Sequence, residues 1–345
     1  MAWAVPQSSK NQVDRAGQVL TDSSASLSEI ADSLQIINNW RSSHSFPLNT
    51  IQVGLRSKVR QVYDEALVAQ RIKRLASIEA KLIRFPTMKL SQMQDIGGCR
   101  AVVKNVLQIN ELVDMHKKSA AKHKLVRIDN YIESPQRSGY RGVHLIYKYF
   151  SDRNDTYNGL QVEIQIRSLL QHAWATAVET VGTFLKQALK SSQGHSEWLR
   201  FFALMSSAIA WREKTQLVPN TSEDRAILLE ELRRRASDLD VLRRLAVYGD
   251  TLRALEDPGA INAHYFVLVL DPIADTVTIS GYSRSELERA TSHYVSVESK
   301  LDSKIGQEAV LVSVDSISAL KKAYPNYFLD TKAFLVAVEQ ALAGK

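Results

Sequence analysis

Hydrophobic and polar positions follow two different periods along this chain, and the change of period separates the parts of the fold. In the first hundred residues apolar positions recur at helical spacing. We expect one helix in each of three segments, with the serines and proline of 42–47 separating the first two and Pro86 ending the third. The segments are SLSEIADSLQIINNW, IQVGLRSKVRQVYDEALVAQRI and SIEAKLIRF.

Strand-like patterning then begins. Four segments are rich in β-branched or aromatic residues and partly alternate, which is typical of strands, and a helix at 106–119 lies between the first two. Helical spacing returns from 169 to 256, and Asp257-Pro258-Gly259 is a strong stop signal. The remaining residues show a β-β-α-β-α pattern. The four strand segments are 98–103, 124–132, 142–150 and 160–167.

These elements predict an α+β fold in which a mixed β-sheet is flanked by helices. A small α/β unit at the C-terminus is long enough to fold as a separate domain. The predicted divisions are an N-terminal helical region at 1–54, a central domain at 55–215, connecting helices at 216–260 and a C-terminal domain at 261–345.

Composition narrows the function. No apolar run approaches the roughly 20 residues that a membrane span needs, and the first residues do not resemble a signal peptide, so we expect a cytoplasmic protein. The single cysteine, Cys99, excludes an internal disulfide and a cysteine-rich zinc site. Lys and Arg exceed Asp and Glu by 44 to 37. This charge suits a nucleotide or RNA ligand, but a solvated basic surface is the commoner explanation.

Two segments before and within the first strand have the residue types of a nucleotide site. RIKRLASIEAK, residues 71–81, carries four cations and a hydroxyl near a helix start, where phosphate binds readily. DIGGCR, residues 95–100, places a carboxylate before two glycines, so a hard metal ion and a nucleotide could approach the backbone. In isolation each segment has a commoner explanation, a basic helix face and an ordinary loop aspartate.

Two later segments add a stacking residue and a polar strand face. YIESPQRSGYRGVH, residues 131–144, is a shaped loop whose Tyr140 could stack on a base. In VEIQIR, residues 162–167, alternation places Glu163, Gln165 and Arg167 on one face of a strand. Three polar side chains on an otherwise apolar strand need partners, which a metal and a nucleotide would supply. A half-exposed strand is an equally good explanation.

The four segments, in this order, resemble the synthetase domain of the RelA/SpoT superfamily over about residues 55–215. The resemblance implies a nucleotidyltransferase-like fold and transfer of the β,γ-diphosphate of ATP, with Mg²⁺, to a ribose hydroxyl. It implies that Asp95 and Glu163 bind the metal and that Glu163 is also the base. Implied ATP-binding residues are Arg71, Lys73, Ser77, Lys81 and Arg100, and implied acceptor-binding residues are Tyr140, Arg141, His144, Gln165 and Arg167.

One departure bears on the acceptor. Family members that use GDP or GTP usually have lysine after the loop proline, where this chain has Gln136. The loop is therefore more similar to that of the toxic small alarmone synthetases, whose acceptor is the terminal adenosine of tRNA. Arg137 could compensate for the missing lysine, so a free nucleotide acceptor stays open. Lysines at 117, 118, 122 and 124 could contact an RNA backbone.

The segment YPNY places Tyr324 and Tyr327 three positions apart, on one side of a helical turn. On spacing alone they are a pair of core aromatics. A synthetase followed by a small cysteine-poor domain with this motif resembles the CapRel-type fused toxin–antitoxins. The resemblance implies a zinc-finger-like domain without zinc ligands, autoinhibition by Tyr324 and Tyr327 over the ATP site, and release by a phage capsid protein.

The sequence thus favours an autoinhibited tRNA pyrophosphokinase acting in phage defence. One alternative is a synthetase of (p)ppGpp- or (p)ppApp-type alarmones. The other is a non-catalytic nucleotide- or RNA-binding regulator, against which the presence of both Asp95 and Glu163 argues.

Overall fold

The chain begins with three helices, each started by local signals. The computed structural model describes residues 3–188, 195–250, 253–256, 263–271, 273–274, 276–301, 307–314, 316–328 and 331–345. Capping boxes at Ser9 and Ser26 begin the first two helices, because each serine exchanges hydrogen bonds with the residue three positions on. The helices are α1 (Lys10–Leu20), α2 (Leu27–Ser43) and α3 (Ser45–Val62).

The break between the first two helices falls within 42–47 as expected, but the expected length of the second helix was wrong. Only His44 separates α2 from α3, and Pro47 lies in the first turn of α3, where no backbone N–H is needed. The long helix expected over 51–72 stops at Val62, and its last residues form strand β1 (Leu67–Ile72). β1 pairs with the next strand along all six of its residues, and this ladder outweighs the helical spacing.

The strands expected from the sequence are present, and the mixed α+β class is confirmed. Helix α4 follows β1, and helix α5 follows β2. The elements are α4 (Leu75–Arg84), β2 (Gly97–Val103), α5 (Val106–Lys117), β3 (Lys124–Asn130), β4 (Val143–Lys148) and β5 (Gln161–Ser168).

A helical section follows, with one exception to the prediction. A strand, β6, ends the stretch that was expected to be helical throughout, and it pairs in parallel with a later strand. The stop signal at Asp257-Pro258-Gly259 lies outside the described residues, as does the proposed boundary between the last two domains. The elements are α6 (Leu169–Ala188), α7 (His195–Glu213), α8 (Arg225–Asp238), α9 (Val241–Asp250) and β6 (Arg253–Glu256).

The C-terminal part continues the same sheet. Within the described residues the sheet has nine strands in the order β3-β4-β5-β2-β1-β9-β7-β8-β6. A short 3-10 helix, Pro325–Phe328, lies between the last two helices. The C-terminal elements are β7 (Tyr265–Asp271), β8 (Thr276–Tyr282), α10 (Leu287–Glu298), β9 (Glu308–Ser313), α11 (Ile317–Ala323) and α12 (Lys332–Leu342).

The sheet divides the molecule into two layers. One face of β2, β4 and β5 packs its apolar side chains against α3 and α5. On the other face α11 and the 3-10 helix pack against β1, β7 and β9, and α6 adjoins them. The predicted site residues of β1, β2 and β5 lie on this second face. Among the described helices, none is long and apolar enough to cross a membrane.

Candidate active site

The centre of the site is a row of residues that cross the sheet in register. Arg71 on β1 lies opposite Gly98 on β2, which lies opposite Glu163 on β5. Two positions along, Arg100 lies opposite Gln165. A Cβ built at Gly98 meets nothing within 4 Å, so the glycine leaves a gap between the arginine and the carboxylate.

Strand β5 has the alternation that the sequence predicts. Its apolar residues are fully buried in the core on the α3 side. On the opposite face Gln165 Nε2 donates to Glu163 Oε2 at 2.8 Å, and Arg167 donates to Gln165 Oε1 at 3.1 Å. The three polar side chains are therefore hydrogen-bonded to one another along the strand. The buried apolar residues are Val162, Ile164 and Ile166.

Asp95 lies between two of the predicted phosphate-binding lysines. Its carboxylate accepts from Lys73 Nζ at 2.7 Å and from Lys81 Nζ at 2.9 Å. Burial opposes ionisation of this carboxyl, but the two ammonium groups outweigh it and hold the pKa of Asp95 at about 2. The site thus joins the end of β1, the first turns of α4, where Ser77 also lies, and Asp95, two positions before β2.

Positive charge is crowded on this face. Burial, together with the nearby guanidinium groups of Arg167 and Arg71, lowers the pKa of Arg100 to about 10. Burial also lowers the pKa of Lys73, against the pull of Asp95. Cations whose charged forms are disfavoured gain most from an added anion, so the cleft is electrostatically prepared for a polyphosphate.

The predicted acceptor residues form a second connected group. Tyr140 Oη lies 2.5 Å from His144 Nε2 and accepts from Arg167 at 3.0 Å. Arg167 also lies over the Tyr140 ring, with 5.0 Å from guanidinium carbon to ring centroid. His144 Nδ1 is 2.9 Å from Glu163 Oε1. Burial opposes its protonation, yet Tyr140 and Glu163 raise the pKa of His144 to about 9, so an imidazolium joins the two.

Arg141 is the exception, because the structure does not place its side chain with the other predicted acceptor residues. The side chain is buried and points to α7 and the residues after it. Its Nε donates to Ser206 Oγ at 2.9 Å, and its terminal nitrogens donate to Thr215 Oγ1 and to the carbonyl of Gln216. All three guanidinium nitrogens bond to this loop-to-α7 contact, and no local sequence signal marks their partners.

Residues of the C-terminal segment reach the same face. Tyr324 lines the small cavity that also contains Arg71, Asp95 and Glu163, and the cavity volume is about 30 Å³. Arg100 donates to the carbonyl of Ala323 at 3.3 Å and lies 5.9 Å from the Tyr324 ring centroid. A volume near that of one water molecule cannot admit a nucleotide. The cleft is therefore closed in this structure.

Tyr327 instead contacts Arg74, the residue that precedes α4. Its hydroxyl accepts from Arg74 at 3.2 Å, and Arg74 also forms an ion pair with Glu308 of β9. Tyr327 is fully buried and Tyr324 nearly so, and both belong to one apolar core with β7 and β9. The two tyrosines thus have the core role that their spacing suggests and also contact arginines of the site.

Comparison with known proteins agrees with the motifs. Residues 70–183 match a family model described as "Region found in RelA / SpoT proteins". This part of the chain is a RelA/SpoT-type domain. It contains every predicted ATP-, metal- and acceptor-binding residue.

Two curated relatives each match about a third of the chain. GTP pyrophosphokinase YwaC of Bacillus subtilis is 29% identical over 111 residues, and GTP pyrophosphokinase YjbM of the same organism is 34% identical over 113 residues. The matches cover 31% and 32% of this chain. The chain spans about half the length of these relatives, 52% in each case.

Two solved structures are similar to about half of the chain. The small alarmone synthetase 1 of Bacillus subtilis, bound to its product pppGpp, is 25% identical with a TM-score of 0.40, and the match covers 50% of this chain and 88% of that one. A GTP pyrophosphokinase family protein of Streptococcus pneumoniae is 25% identical with a TM-score of 0.39, covering 48% and 85%.

The RelA/SpoT-type domain has a donor set suited to magnesium. Among the described residues no three His, Cys, Asp or Glu side chains form a metal cluster. Mg²⁺ commonly takes one or two carboxylates and completes its octahedron with substrate phosphates and water. Asp95 and Glu163 face one cavity and fit this pattern. Burial and the nearby Asp95 oppose ionisation of Glu163, but His144 and Gln165 outweigh them and lower its pKa, so both carboxylates could hold a cation.

Sequence reasoning missed a set of charged residues that hold the C-terminal part to the domain. Arg41 of α2 donates to both oxygens of Glu298, and Glu298 also accepts from the backbone N–H of Leu75 at 2.8 Å. Arg41 Nε donates to the carbonyl of Lys73 at 3.0 Å. No local signal marks the pairing of Arg41 with Glu298, because 257 positions separate them along the chain.

Proposed function

We propose that this protein is an ATP-dependent pyrophosphokinase that transfers the β,γ-diphosphate of ATP to a ribose hydroxyl. The observation that carries the proposal is the row Arg71–Gly98–Glu163 with Asp95 and its two lysines beside it. It combines a gap in the sheet face, a pair of carboxylates and a surplus of cations. The curated relatives named as GTP pyrophosphokinases support the same reaction class.

In this proposal the donor occupies the β1–α4 side of the cleft. Arg71 and Arg100 hold the adenine between their guanidinium planes. Lys73, Ser77 and Lys81 bind the triphosphate, and the gap at Gly98 lets the phosphates approach the strand. When ATP binds, Lys73 and Lys81 break their hydrogen bonds to Asp95 and donate to phosphate oxygens instead. The Asp95 carboxylate is then free to bind the metal. Bound Mg²⁺ supplies neutralisation of phosphate charge in the transition state.

The acceptor occupies the β4–β5 side. Tyr140 stacks on the base, and Arg167 and Gln165 fix the ribose. Glu163 takes the proton of the attacking hydroxyl, whose oxygen bonds to the β-phosphorus while the bond between that phosphorus and the α-phosphate oxygen breaks and AMP leaves. Burial opposes ionisation of Glu163, yet the hydrogen bond from His144 lowers its pKa, so the carboxylate is available as a base.

We propose the 3′ end of tRNA as the acceptor, with arrest of translation as the result. The support is the loop sequence Pro135-Gln136-Arg137, in which the lysine usual in GDP-using members is absent. A second candidate is an alarmone synthetase acting on free guanine or adenine nucleotides. The relatives' names, GTP pyrophosphokinases, favour that candidate.

We also propose that the closed state is an autoinhibited one. The support is the position of Tyr324, beside Arg100 in a cavity of about 30 Å³, and the contact of Tyr327 with Arg74. A protein ligand of the C-terminal domain, such as a phage capsid protein, would then open the cleft in a defence response.

Transfer of radiolabel tests the proposal. The protein is incubated with γ-labelled ATP, Mg²⁺ and either deacylated tRNA or GDP. We expect label in the tRNA band, and a loss of about 10²–10⁴-fold in Glu163→Gln, which keeps the size of the side chain but not the base. Label only in a small nucleotide would replace the tRNA assignment with the alarmone candidate.

No transfer to either acceptor, in the wild type and in variants that open the cleft, would contradict the pyrophosphokinase proposal. Full cellular effect of the Glu163→Gln protein would support the remaining alternative, a non-catalytic regulator.

A further inference from the structure

One hydroxyl group on helix α7 bonds to the residues on both sides of Tyr140. Ser206 Oγ donates to the carbonyl of Gly139 at 2.6 Å and accepts from Arg141 Nε at 2.9 Å. Ser206 is buried, with 1% of its surface exposed. We call residues 131–142, which connect β3 to β4, the acceptor loop. This loop is therefore fixed to α7 directly at Tyr140, the residue that we propose stacks on the acceptor base.

Arg141 extends this attachment beyond α7. Its terminal nitrogens donate to Thr215 Oγ1 at 3.2 Å and to the carbonyl of Gln216, both in the segment that follows α7. The side chain is 3% exposed, and burial lowers the pKa of Arg141 to about 10, although the carboxylate of Glu213 is near. Burial of a cation is costly, so the guanidinium is stable only in an orientation that keeps these hydrogen bonds.

Contacts around Gly139 restrict the acceptor loop further. The φ of Gly139 is +94°, and a Cβ built there would lie 2.9 Å from Trp174 and 3.2 Å from the Cα of Ala203. Trp174 is itself held in place, because its Nε1 donates to the carbonyl of Phe202 at 2.9 Å. The backbone of the loop thus approaches α6 and α7 more closely than a residue with a Cβ allows.

Tyr140 is held on its other side by the sheet. Its hydroxyl bonds to His144 of β4 and Arg167 of β5, and its ring packs against the apolar core formed by α6, α7 and neighbouring helices. The sheet fixes the end of the side chain, whereas Ser206 and Arg141 fix the backbone that carries it. Without the second attachment the backbone at Tyr140 would be free to shift, and the plane of the ring would shift with it.

We propose that Arg141 and Ser206 are positioning residues for the acceptor. Neither side chain would touch the acceptor, and both would set where the Tyr140 ring lies when the acceptor base stacks on it. The inference rests on the proposed function, in which Tyr140 binds that base. It adds α7 to the site, although the match to the RelA/SpoT family model ends at residue 183. Stacking depends on where the ring lies, so a displaced ring should weaken acceptor binding and leave donor binding unchanged.

Ser206→Ala tests the proposal, with Ser207→Ala as the matched control. Ser207 is also buried in α7, but its hydroxyl bonds to Thr221 and to the backbone N–H of Val218, and not to the acceptor loop. In the label-transfer assay, with whichever of tRNA and GDP accepts label, we expect Ser206→Ala to raise the KM for the acceptor about tenfold. The KM for ATP, and kcat at saturating acceptor, should stay within about twofold of the wild type. Ser207→Ala should change none of these constants.

Hydrogen exchange measured by mass spectrometry gives a readout that needs no catalysis. The amide of Gly139 donates to the carbonyl of Gln136 at 2.8 Å within the acceptor loop. Amides of residues 131–142 should exchange faster in Ser206→Ala than in the wild type, and those of β4 and β5 should not. Arg141→Lys keeps the charge but loses the planar fork, so it should have the same effects, and it replaces Ser206→Ala if that variant does not fold.

Equal acceptor KM in Ser206→Ala and Ser207→Ala would overturn the proposal, as would a parallel rise in the KM for ATP. Absence of transfer by the wild type would instead contradict the proposed function. The exchange result would then decide whether α7 holds the acceptor loop: faster exchange in Ser206→Ala would support this role, and unchanged exchange would overturn it. Thermal unfolding of each variant verifies that it is folded.

Discussion

The guanidinium of Arg41 lies 2.9 Å from the carboxylate of Glu298, although 257 positions separate them in sequence. The side chains are 3% and 11% exposed, so this is a buried pair. Tyr294 donates to the same carboxylate at 2.5 Å, and the N–H of Leu75, the first residue of α4, donates to it at 2.8 Å. The carboxylate of α10 thus binds at the start of the helix that carries Ser77 and Lys81.

We expect Glu298→Gln to destabilise the protein and to raise basal transfer. Removing one charge of a buried pair leaves the other uncompensated, at a cost of about 3–5 kcal/mol. The loss falls on contacts between α10 and the loop before α4, so the cleft should open more often. Urea unfolding and the label-transfer assay measure the two effects.

Asp152→Asn is the matched control, because the Asp152–Lys122 ion pair is exposed on both sides. An exposed pair contributes about 0–1 kcal/mol, so stability and transfer should barely change. A Glu298→Gln protein that lost stability without any gain in transfer would show that the pair is structural and has no part in closure.

Tyr324→Ala should increase binding of a non-hydrolysable ATP analogue. The substitution removes the ring beside Arg100 and enlarges the small cavity, at a stability cost of about 3–5 kcal/mol for a buried aromatic. Tyr149→Ala is the control, since Tyr149 is similarly buried in a different core. Equal affinity for the analogue in the wild type and Tyr324→Ala would contradict autoinhibition by this residue.

Substitution of two glycines by alanine should affect different properties, donor binding at Gly98 and stability at Gly139. A Cβ at Gly98 enters open space, so Gly98→Ala should fold normally and yet weaken donor binding. At Gly139 the backbone has φ +94° and a Cβ would lie 2.9 Å from Trp174, so Gly139→Ala should lower the unfolding temperature. Thermal melts and analogue titration separate the two effects. If Gly98→Ala bound the ATP analogue as tightly as the wild type, the nucleotide would not lie against Gly98.

His144 should make stability depend on pH in the alkaline range. Its pKa rises from 6.5 to about 9 on folding, because Tyr140 and Glu163 outweigh burial. The contribution of its protonated form is therefore complete below pH 6.5 and disappears as pH rises through 9. The difference in unfolding free energy between the wild type and His144→Gln should shrink over that interval. A constant difference would mean that the imidazole is neutral in the folded protein.

Local patterns predicted most elements and the β5 side of the site. The alternation in VEIQIR fixed which side chains share a face, and register then brought Glu163 opposite Gly98. β1 was missed because helical spacing continues through LVAQRI, and only pairing with β2 selects a strand. Pairing is a long-range event that no window of sequence contains.

The position of Arg141 and the pairing of Arg41 with Glu298 were not predicted, and both follow from long-range packing. Arg141 lies directly after Tyr140 in a loop whose side-chain directions are set by packing on α7. The residue type alone therefore does not show that its side chain bonds to α7. Arg41 and Glu298 are ordinary surface residue types on two amphipathic helices. Their burial results from the contact between those helices. The open space beside Gly98, by contrast, agrees with what the double glycine predicts.

The junction between β1 and β9 has a consequence for the opened protein. These strands pair at only two positions, Gln70 with Ser313 and Arg71 with Val312, whereas β1 and β2 pair at six. Separation of the two halves at this junction would turn β1 and β9 into edge strands with unpaired N–H and C=O groups. Such edges recruit strands from other molecules. The opened protein should therefore self-associate as its concentration rises. The time for which it stays monomeric and active should be longer in dilute solution.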